Sequence, residues 1–253
     1  MLKQRLVPVL LLRNGRLVKT IKFDASRDVG NPITQAKVYD AQNADELVFL
    51  DILATTEGRG ALLDIVDRVT EECFVPLTVG GGVKTVEDIR ALLKAGADKV
   101  AINTAAVENP QFLKEAVKVF GSANIVVSVD YKNVDGKQKV FIRGGKEETS
   151  WNVFEWCCEV ERLGGGEILL NSIDRDGTME GYDLETIKRI AESLNIPVVA
   201  CGGAGTLQHL SEGLKNAKAS AVAAGSIFAF TDQSPIKARF YLNNAGLNVR
   251  YGV

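Results

Sequence analysis

Short apolar runs rich in β-branched residues alternate along the chain with longer segments that carry helix signals. The runs cover residues 6–12, 47–52, 76–79, 99–102, 125–129, 168–170, 197–200 and 219–223. Each run has the composition of a buried strand. Between them, Asn31, Asn109 and Ser234 each precede a proline, and Thr85-x-x-Asp88 has the spacing of a capping box. These signals predict helix starts.

Strand followed by helix, eight times over, predicts a parallel sheet. In a chain of 253 residues the closed (βα)8 barrel is the economical solution, with residues 1–253 forming one domain. A doubly wound open sheet is the alternative, because local pattern does not distinguish an open sheet from a closed one.

An internal repeat favours closure. Residues 79–85 (VGGGVKT) are echoed by residues 200–206 (ACGGAGT), and residues 46–51 (ELVFLD) match residues 167–172 (EILLNS) at the same offset. Each glycine run follows an apolar strand and precedes a helix. We therefore predict two similar half-barrels with equivalent sites on opposite sides of the barrel mouth.

Charge and composition exclude several kinds of partner. With 30 basic and 32 acidic residues the chain has little net charge, so no strong field favours nucleic acid or an anionic membrane. The longest apolar run, residues 6–12, is too short to span a bilayer. The four cysteines lack C-x-x-C spacing and His209 is the single histidine, so we expect no metal site and a cytoplasmic protein.

The glycine runs predict phosphate binding, because glycines after a strand let backbone N–H groups approach an anion. One cradle would combine Gly81 and Gly82 with Asn103 and Thr104. The other would combine Gly202 and Gly203 with Gly225 and Ser226. Tight turn packing is the ordinary alternative for a single glycine pair. Two matching copies instead predict a ligand whose two phosphates span the mouth.

Carboxylates at strand ends are the candidate acid–base groups, because these positions face the reaction chamber of a barrel. Asp130 directly follows five apolar or small residues of the fifth strand, and Asp51 ends the second. Asp174 and Asp176 follow the sixth strand, where turn formation is the alternative. The repeat places Leu11 at the position equivalent to Asp130, so only one acid of a possible pair is present.

Charged residues also stand at or just before the starts of four strands. They are Arg5, Glu46, Lys99 and Glu167. Since these strands run parallel, their starts surround the bottom opening, where two cations and two anions can form a ring of salt bridges. Ordinary solvation of strand ends is the alternative.

Together these features resemble the cyclase subunit of imidazole glycerol phosphate synthase, the HisF family, over essentially the whole chain. The most specific stretches are residues 45–51 (DELVFLD), 77–82 (LTVGGG), 95–104 (AGADKVAINT) and 167–183 (EILLNSIDRDGTMEGYD). The resemblance implies a (βα)8 barrel of two half-barrels that receives ammonia from a HisH-type glutaminase docked on its bottom face. The ammonia would cross a charged gate and cyclise a bisphosphorylated ribulosyl-formimino substrate, without a metal or organic cofactor.

The resemblance also assigns roles to individual residues. The gate would consist of Arg5, Glu46, Lys99 and Glu167. One phosphate site would consist of Gly82, Asn103 and Thr104, and the other of Asp176, Gly177, Gly203, Gly225 and Ser226. Residues 15–30, with Lys19, would form the loop that closes over the substrate, and Asp130 would be the catalytic acid. Asp98 would lie on the glutaminase-facing side.

The chain departs from the family pattern around the mouth. The second catalytic aspartate of the family falls on Leu11, and further differences fall on Thr20, Ala101, Asn171 and Cys201. This combination is similar to a divergent HisF-like branch associated with bacterial surface polysaccharides. There, ammonia is thought to reach a sugar amidotransferase that converts an acetamido group into an acetamidino group.

Three interpretations follow. The first is a divergent ammonia-delivering subunit with cyclisation weak or lost, which Leu11 favours. The second is a working histidine-biosynthesis cyclase in which Asp130 suffices or Asp51 substitutes for the missing acid. The third is a non-enzymatic scaffold that docks and activates a glutaminase.

Overall fold

The computed structural model describes residues 3–60 and 63–250. Within these ranges the strands are β1 (Arg5–Arg13), β2 (Arg16–Thr20), β3 (Ser26–Gly30), β4 (Leu47–Asp51), β5 (Leu77–Gly80), β6 (Lys99–Ile102), β7 (Ile125–Val134), β8 (Lys137–Ile142), β9 (Glu147–Asn152), β10 (Glu167–Ser172), β11 (Val198–Cys201) and β12 (Ala221–Ala224).

The α-helices of the same ranges lie between these strands or after the last one. They are α1 (Pro32–Ala41), α2 (Leu63–Thr70), α3 (Val86–Lys94), α4 (Thr104–Glu108), α5 (Pro110–Phe120), α6 (Val153–Arg162), α7 (Leu184–Ala191), α8 (Leu207–Lys215), α9 (Ser226–Phe230) and α10 (Pro235–Asn244). A 3₁₀ turn, Ser122–Asn124, leads into β7.

Eight strands form a closed parallel barrel in the order β1, β4, β5, β6, β7, β10, β11 and β12. The ring closes because β12 also pairs with β1 in parallel. Each of the eight predicted runs overlaps one barrel strand. The (βα)8 prediction is therefore confirmed, and the open sheet is wrong.

Several helices begin where the sequence predicts. The Asn31 side chain accepts hydrogen bonds from two backbone N–H groups of the first turn of α1, and Pro32 occupies that turn. Thr85 and Asp88 form the capping box of α3, each side chain bonding the backbone N–H of the other residue. Ser234 caps α10 in a similar way. These caps satisfy N–H groups that have no partner within the helix.

Two antiparallel hairpins extend from the barrel, and the sequence analysis predicted neither. The first hairpin, β2–β3, continues from β1, and the second hairpin, β8–β9, continues from β7. Residues 15–30 were expected to be a loop, whereas most of them form β2 and β3. Each hairpin is joined to its barrel strand by a tight two-residue turn, Asn14-Gly15 between β1 and β2 and Asp135-Gly136 between β7 and β8. All four turn residues have positive φ, which is the backbone that such a turn requires.

Barrel closure divides the core into two apolar layers. Alternate residues of a strand point to opposite faces, so Leu6 and Leu10 pack against the helices while Val7 and Val9 face the barrel interior. The interior layer consists of Val7, Val9, Val48, Ala101, Val126, Leu169, Val199, Cys201, Ala221 and Ala223, with Leu11 and Leu50 packed against it. No helix in the described part of the chain is long and apolar enough to cross a membrane.

Substitution of Gly166, the residue before β10, tests how tightly the base of the barrel is packed. A Cβ on Gly166 would lie 1.8 Å from the Ser122 carbonyl oxygen, a backbone atom that cannot rotate away. We expect Gly166→Ala to lower the free energy of unfolding by about 3 kcal/mol, measured by urea titration. Gly60→Ala, where a Cβ meets nothing within 4 Å, should change it little. Equal effects of the two substitutions would contradict the packing argument.

Candidate functional site

Four charged side chains form a closed ring at the base of the barrel. Arg5 donates from Nη1 to Glu46 Oε2 at 2.7 Å and from Nη2 to Glu167 Oε1. Lys99 Nζ lies 3.0 Å from Glu46 Oε2 and 2.8 Å from Glu167 Oε2. We call these four residues the basal ring. Each cation touches both anions, so the strand-start charges that the sequence singled out do meet around the barrel axis.

The basal ring keeps the Glu167 carboxylate ionised although it is buried. Burial alone would raise the pKa of Glu167, but hydrogen bonds and charge from Arg5 and Lys99 outweigh it and hold the pKa below its usual value. Burial would likewise lower the pKa of Arg5, yet Glu167 and Glu46 raise it above its usual value. Arg5 and Glu167 therefore stay charged through the neutral pH range.

Residues beside the basal ring hold it in place. The Thr78 hydroxyl donates to Glu46 Oε1 at 2.6 Å, so this carboxylate has partners on both oxygens. Next to it, Asp45 accepts the Leu6 backbone N–H at 2.8 Å and pairs with the buried Arg239 at 2.8 Å. Asp98 is exposed at the base and accepts the Leu77 backbone N–H at 2.8 Å.

Above the basal ring the interior is apolar until the mouth. A cavity of about 550 Å³ then opens at the carboxyl ends of the strands, and the upper members of the interior layer, such as Val9 and Ala223, form part of its wall. The cavity brings together every mouth residue that the sequence proposed. They are Lys19, Gly82, Asn103, Thr104, Asp130, Asp176, Gly177, Gly203, Gly225 and Ser226.

Asp130 lies at the floor of this cavity, where it is 9% exposed. Its Oδ1 accepts the Ser128 hydroxyl at 3.2 Å, and its Oδ2 accepts Asn103 Nδ2 at 3.1 Å. Burial raises the pKa of Asp130 to about 7, against the opposing hydrogen bonds from Ser128 and Asn171. A carboxyl with this pKa can both give and take a proton near neutral pH.

Leu11 faces the same cavity as Asp130. It lines the cavity wall and packs against the interior layer, beside Leu50 on the neighbouring strand. The half-barrel repeat therefore places an apolar side chain at the position equivalent to an acid. Leu11 can neither donate nor accept a proton, so the mouth holds one carboxyl of the pair.

The first cradle consists of Gly82, Asn103 and Thr104. Gly82 has φ +72°, and a Cβ there would lie 2.3 Å from the Arg59 carbonyl oxygen, so only glycine fits. The Thr104 hydroxyl lies 3.2 Å from Asn103 Oδ1 and accepts the Arg143 backbone N–H at 3.0 Å. Small residues and hydroxyls leave room here for an anion.

The second cradle consists of Asp176, Gly177, Gly203, Gly225 and Ser226, and the first hairpin reaches into it. The Lys19 ammonium is buried there and donates to the Val9 carbonyl. A Cβ on Gly225 would lie 2.1 Å from Lys19 Nζ, so the glycine makes space for the lysine. Burial lowers the pKa of Lys19 to about 8, although the Asp176 carboxyl opposes the shift.

Two other strand-end carboxylates have structural roles. Asp51 accepts backbone N–H groups of the following turn and pairs with Arg59 through both oxygens, at 2.5 and 3.1 Å. These contacts occupy the carboxylate and speak against Asp51 as a substitute acid. Asp174 accepts the Asn133 backbone N–H at 2.8 Å, which agrees with turn formation.

The sequence analysis did not predict several of the residues that line the cavity. Ser128 stands two residues before Asp130 on the same strand face, a spacing that could have revealed it. Four cations also line the cavity, namely Arg13, Lys84, Arg143 and Lys146. They lie in connections and hairpins, and nothing local distinguishes them from ordinary surface charges.

No cluster of His, Cys, Asp and Glu that could hold a metal ion occurs among residues 3–60 and 63–250.

The raised pKa of Asp130 makes a prediction for stability. Below about pH 4 the carboxyl is protonated in both folded and unfolded chains. Between pH 4 and 7 the unfolded chain loses the proton more readily, so folding stability falls as pH rises. The Asp130→Asn variant has no carboxyl there and does not lose stability in this way. We therefore expect its free energy of unfolding, relative to that of the unmodified chain, to increase by up to a few kcal/mol between pH 4 and 7.

Urea unfolding at pH 4.5, 6 and 8 measures the effect. Glu148→Gln removes an exposed carboxylate of β9 and is the matched control, for which we expect little pH-dependent difference. A difference between Asp130→Asn and the unmodified chain that stays constant with pH would contradict the raised pKa.

Comparison with known protein families agrees with this architecture. A family model described as histidine biosynthesis protein matches residues 5–234. The match begins at the first residue of β1 and ends just before α10, so it includes all eight barrel strands, the basal ring and both cradles. The chain therefore belongs to the histidine biosynthesis protein family.

Proposed function

We propose that this chain is a HisF-like synthase subunit that receives ammonia from a HisH-type glutaminase through the barrel. The observation that carries the proposal is the basal ring. It encircles the axis at the base, with the apolar interior layer and the polar cavity above it. A conduit for a small neutral molecule needs these three parts in this order.

The chemistry of the interior favours ammonia over ammonium. A charged group that enters an apolar interior loses its hydration without compensation, whereas a neutral molecule loses much less. The basal ring adds a selective entrance, because an arriving ammonium would meet Arg5 and Lys99. The conduit therefore suits a nucleophile delivered as NH₃.

The basal ring must open for ammonia to pass. The side chains of Arg5 and Lys99 are about one-fifth exposed, whereas those of Glu46 and Glu167 are buried. Either cation can swing towards the base without moving a strand, and the remaining one still pairs with both anions. We propose that docking of the glutaminase on this face favours the open arrangement.

We further propose that this subunit supplies ammonia for formation of an acetamidino group on a sugar in surface polysaccharide synthesis, with a sugar amidotransferase as a further partner. Leu11 supports this, because an apolar side chain occupies the cavity position at which the family pattern has its second carboxyl. General acid–base catalysis contributes about 10² to 10⁴ in rate, so its loss leaves cyclisation weak. The phosphorylated ligand would remain bound by the two cradles, in a cytoplasmic protein.

A second function is favoured by Asp130 itself. A carboxyl with a pKa of about 7 serves as both acid and base near neutral pH, and both cradles line the same cavity. A working cyclase of histidine biosynthesis, which forms imidazole glycerol phosphate, could use Asp130 alone. Asp51 would not take the place of the missing acid, because Arg59 occupies it.

Glutaminase activation tests the partnership. We expect this chain to raise the rate of glutamate formation by a HisH-type glutaminase at least about tenfold. Asp98→Ala should weaken that effect about tenfold, because it removes an exposed charge at the base, whereas Asp232→Ala should not. The rate is measured against concentration of each variant. No activation by the unmodified chain would contradict the proposed pairing.

Introducing a carboxyl at position 11 tests which molecule receives the ammonia. With ammonium salt and the histidine-pathway substrate, we expect little cyclisation by the unmodified chain. Leu11→Asp should raise the rate about 10²-fold, because it restores a proton-transfer group opposite Asp130. Leu11→Asn is the matched control, since it introduces similar polarity without an acid. Efficient cyclisation by the unmodified chain would favour the histidine-biosynthesis function instead.

A further inference from the structure

The two hairpins cross the mouth, and each lies over the cradle of the other half-barrel. From the first hairpin, Lys22 donates its backbone N–H to the Asp176 carbonyl at 2.9 Å, within the second cradle. From the second hairpin, Arg143 donates its backbone N–H to the Thr104 hydroxyl at 3.0 Å, within the first cradle. The hairpins follow the first strand of each half, so they are counterparts in the repeat.

The two cradles differ in the charged side chains that surround them. Around the first cradle, Lys84, Arg143 and Lys146 line the cavity. The repeat aligns Lys84 with Gly205, so the second half has no cation at the equivalent position. Near the second cradle the buried Lys19 is balanced by Asp176, whose charge acts on the lysine. Arg13 also lines the cavity, at the end of β1. Three of the five basic side chains that line the cavity in the described part of the chain therefore stand on the side of the first cradle.

Two of the three cations at the first cradle, Lys84 and Lys146, have no acidic partner in the described part of the chain. Arg143 pairs with Glu108 and, at 2.9 Å, with Glu147. The ammonium groups of Lys84 and Lys146 make neither a hydrogen bond nor an ion pair within the described part of the chain. The nearby carboxylate of Asp51 is already bound to Arg59, so it does not neutralise them.

We propose that the first cradle, together with Lys84, Arg143 and Lys146, is a subsite for a diphosphate group, whereas the second cradle takes a single phosphate. Glycine N–H groups and hydroxyls suffice for one phosphate, so three further cations on one side indicate a second phosphate beside it. This inference rests on the part of the proposed function that gives the mouth a phosphorylated ligand. It uses nothing of the ammonia pathway.

Each cation would contribute in its own way. Arg143 presents a planar guanidinium that can bind two phosphate oxygens at once, and the contact of its backbone with Thr104 holds it beside the first cradle. Lys84 follows Gly82 by two residues, and Lys146 lies in the turn of the second hairpin. As flexible point charges, both can reach a bridging or terminal phosphate.

Calorimetric titration of the full chain tests the subsite, with inorganic phosphate and pyrophosphate as probes at fixed low ionic strength. We expect pyrophosphate to bind about tenfold more tightly than phosphate. Lys84→Gln and Lys146→Gln should each weaken pyrophosphate binding about fivefold and change phosphate binding less than about twofold. Neither ammonium has a partner among residues 3–60 and 63–250, so both variants should fold normally.

Two controls separate the subsite from general charge effects. Lys114→Gln removes an exposed cation of α5 outside the cavity and should change neither affinity. Arg143→Lys keeps the charge but loses the planar fork, and should weaken pyrophosphate binding about threefold. A nucleoside diphosphate and a short alkyl diphosphate then distinguish a nucleotide from a lipid-linked diphosphate, and tight binding of either supports the subsite.

Three outcomes would overturn the inference. Pyrophosphate that binds no better than phosphate, or lysine variants that weaken both anions equally, would remove the diphosphate subsite and leave the phosphate cradles standing. Pyrophosphate binding without binding of either diphosphate ester would also remove it. Failure of both inorganic anions to bind would remove the phosphate part of the proposed function as well, whereas failure of glutaminase activation would leave this subsite untouched.

Discussion

Opposite charges at the base of the barrel hold one another in an environment that none of them could occupy alone. A buried carboxylate without a partner is strongly destabilising, and removal of one member of such a network leaves the others uncompensated. Closure of the barrel brings the starts of β1, β4, β6 and β10 around one axis, so four residues distant in sequence become neighbours. Because these four charges neutralise one another at the base, the interior layer directly above them can be apolar.

Much of this architecture could be predicted from local sequence, for a physical reason. Barrel strands are buried on both faces, so they are continuous apolar runs, and the charges of the basal ring stand out at their starts. The two hairpins could not be predicted in this way, because β3 and β9 are largely polar and partly exposed. The Asn-Gly turn between β1 and β2 and the Asp-Gly turn between β7 and β8 were available as a signal. That residues 1–253 form one domain stays a prediction.

The sequence predicted many of the residues that line the cavity, but not their contacts. The glycines of both cradles and Asp130 follow strands, where a barrel places its functional groups. The engagement of Asp51 by Arg59, eight residues later, depends on a loop that no periodic pattern describes. The same holds for Lys19, whose burial in the second cradle follows from the path of the first hairpin. Such contacts are set by tertiary packing rather than by local sequence.

The mouth differs from the base in how its charges are balanced. In the basal ring each charge is paired with two opposite charges. At the mouth, burial moves the pKa of Asp130 up to about 7 and that of Lys19 down to about 8, so both groups titrate near neutral pH. A bound anion favours the protonated form of each, since it stabilises the ammonium and opposes ionisation of the carboxyl. The phosphorylated ligand proposed for the mouth would therefore favour a neutral Asp130 carboxyl and a charged Lys19 ammonium.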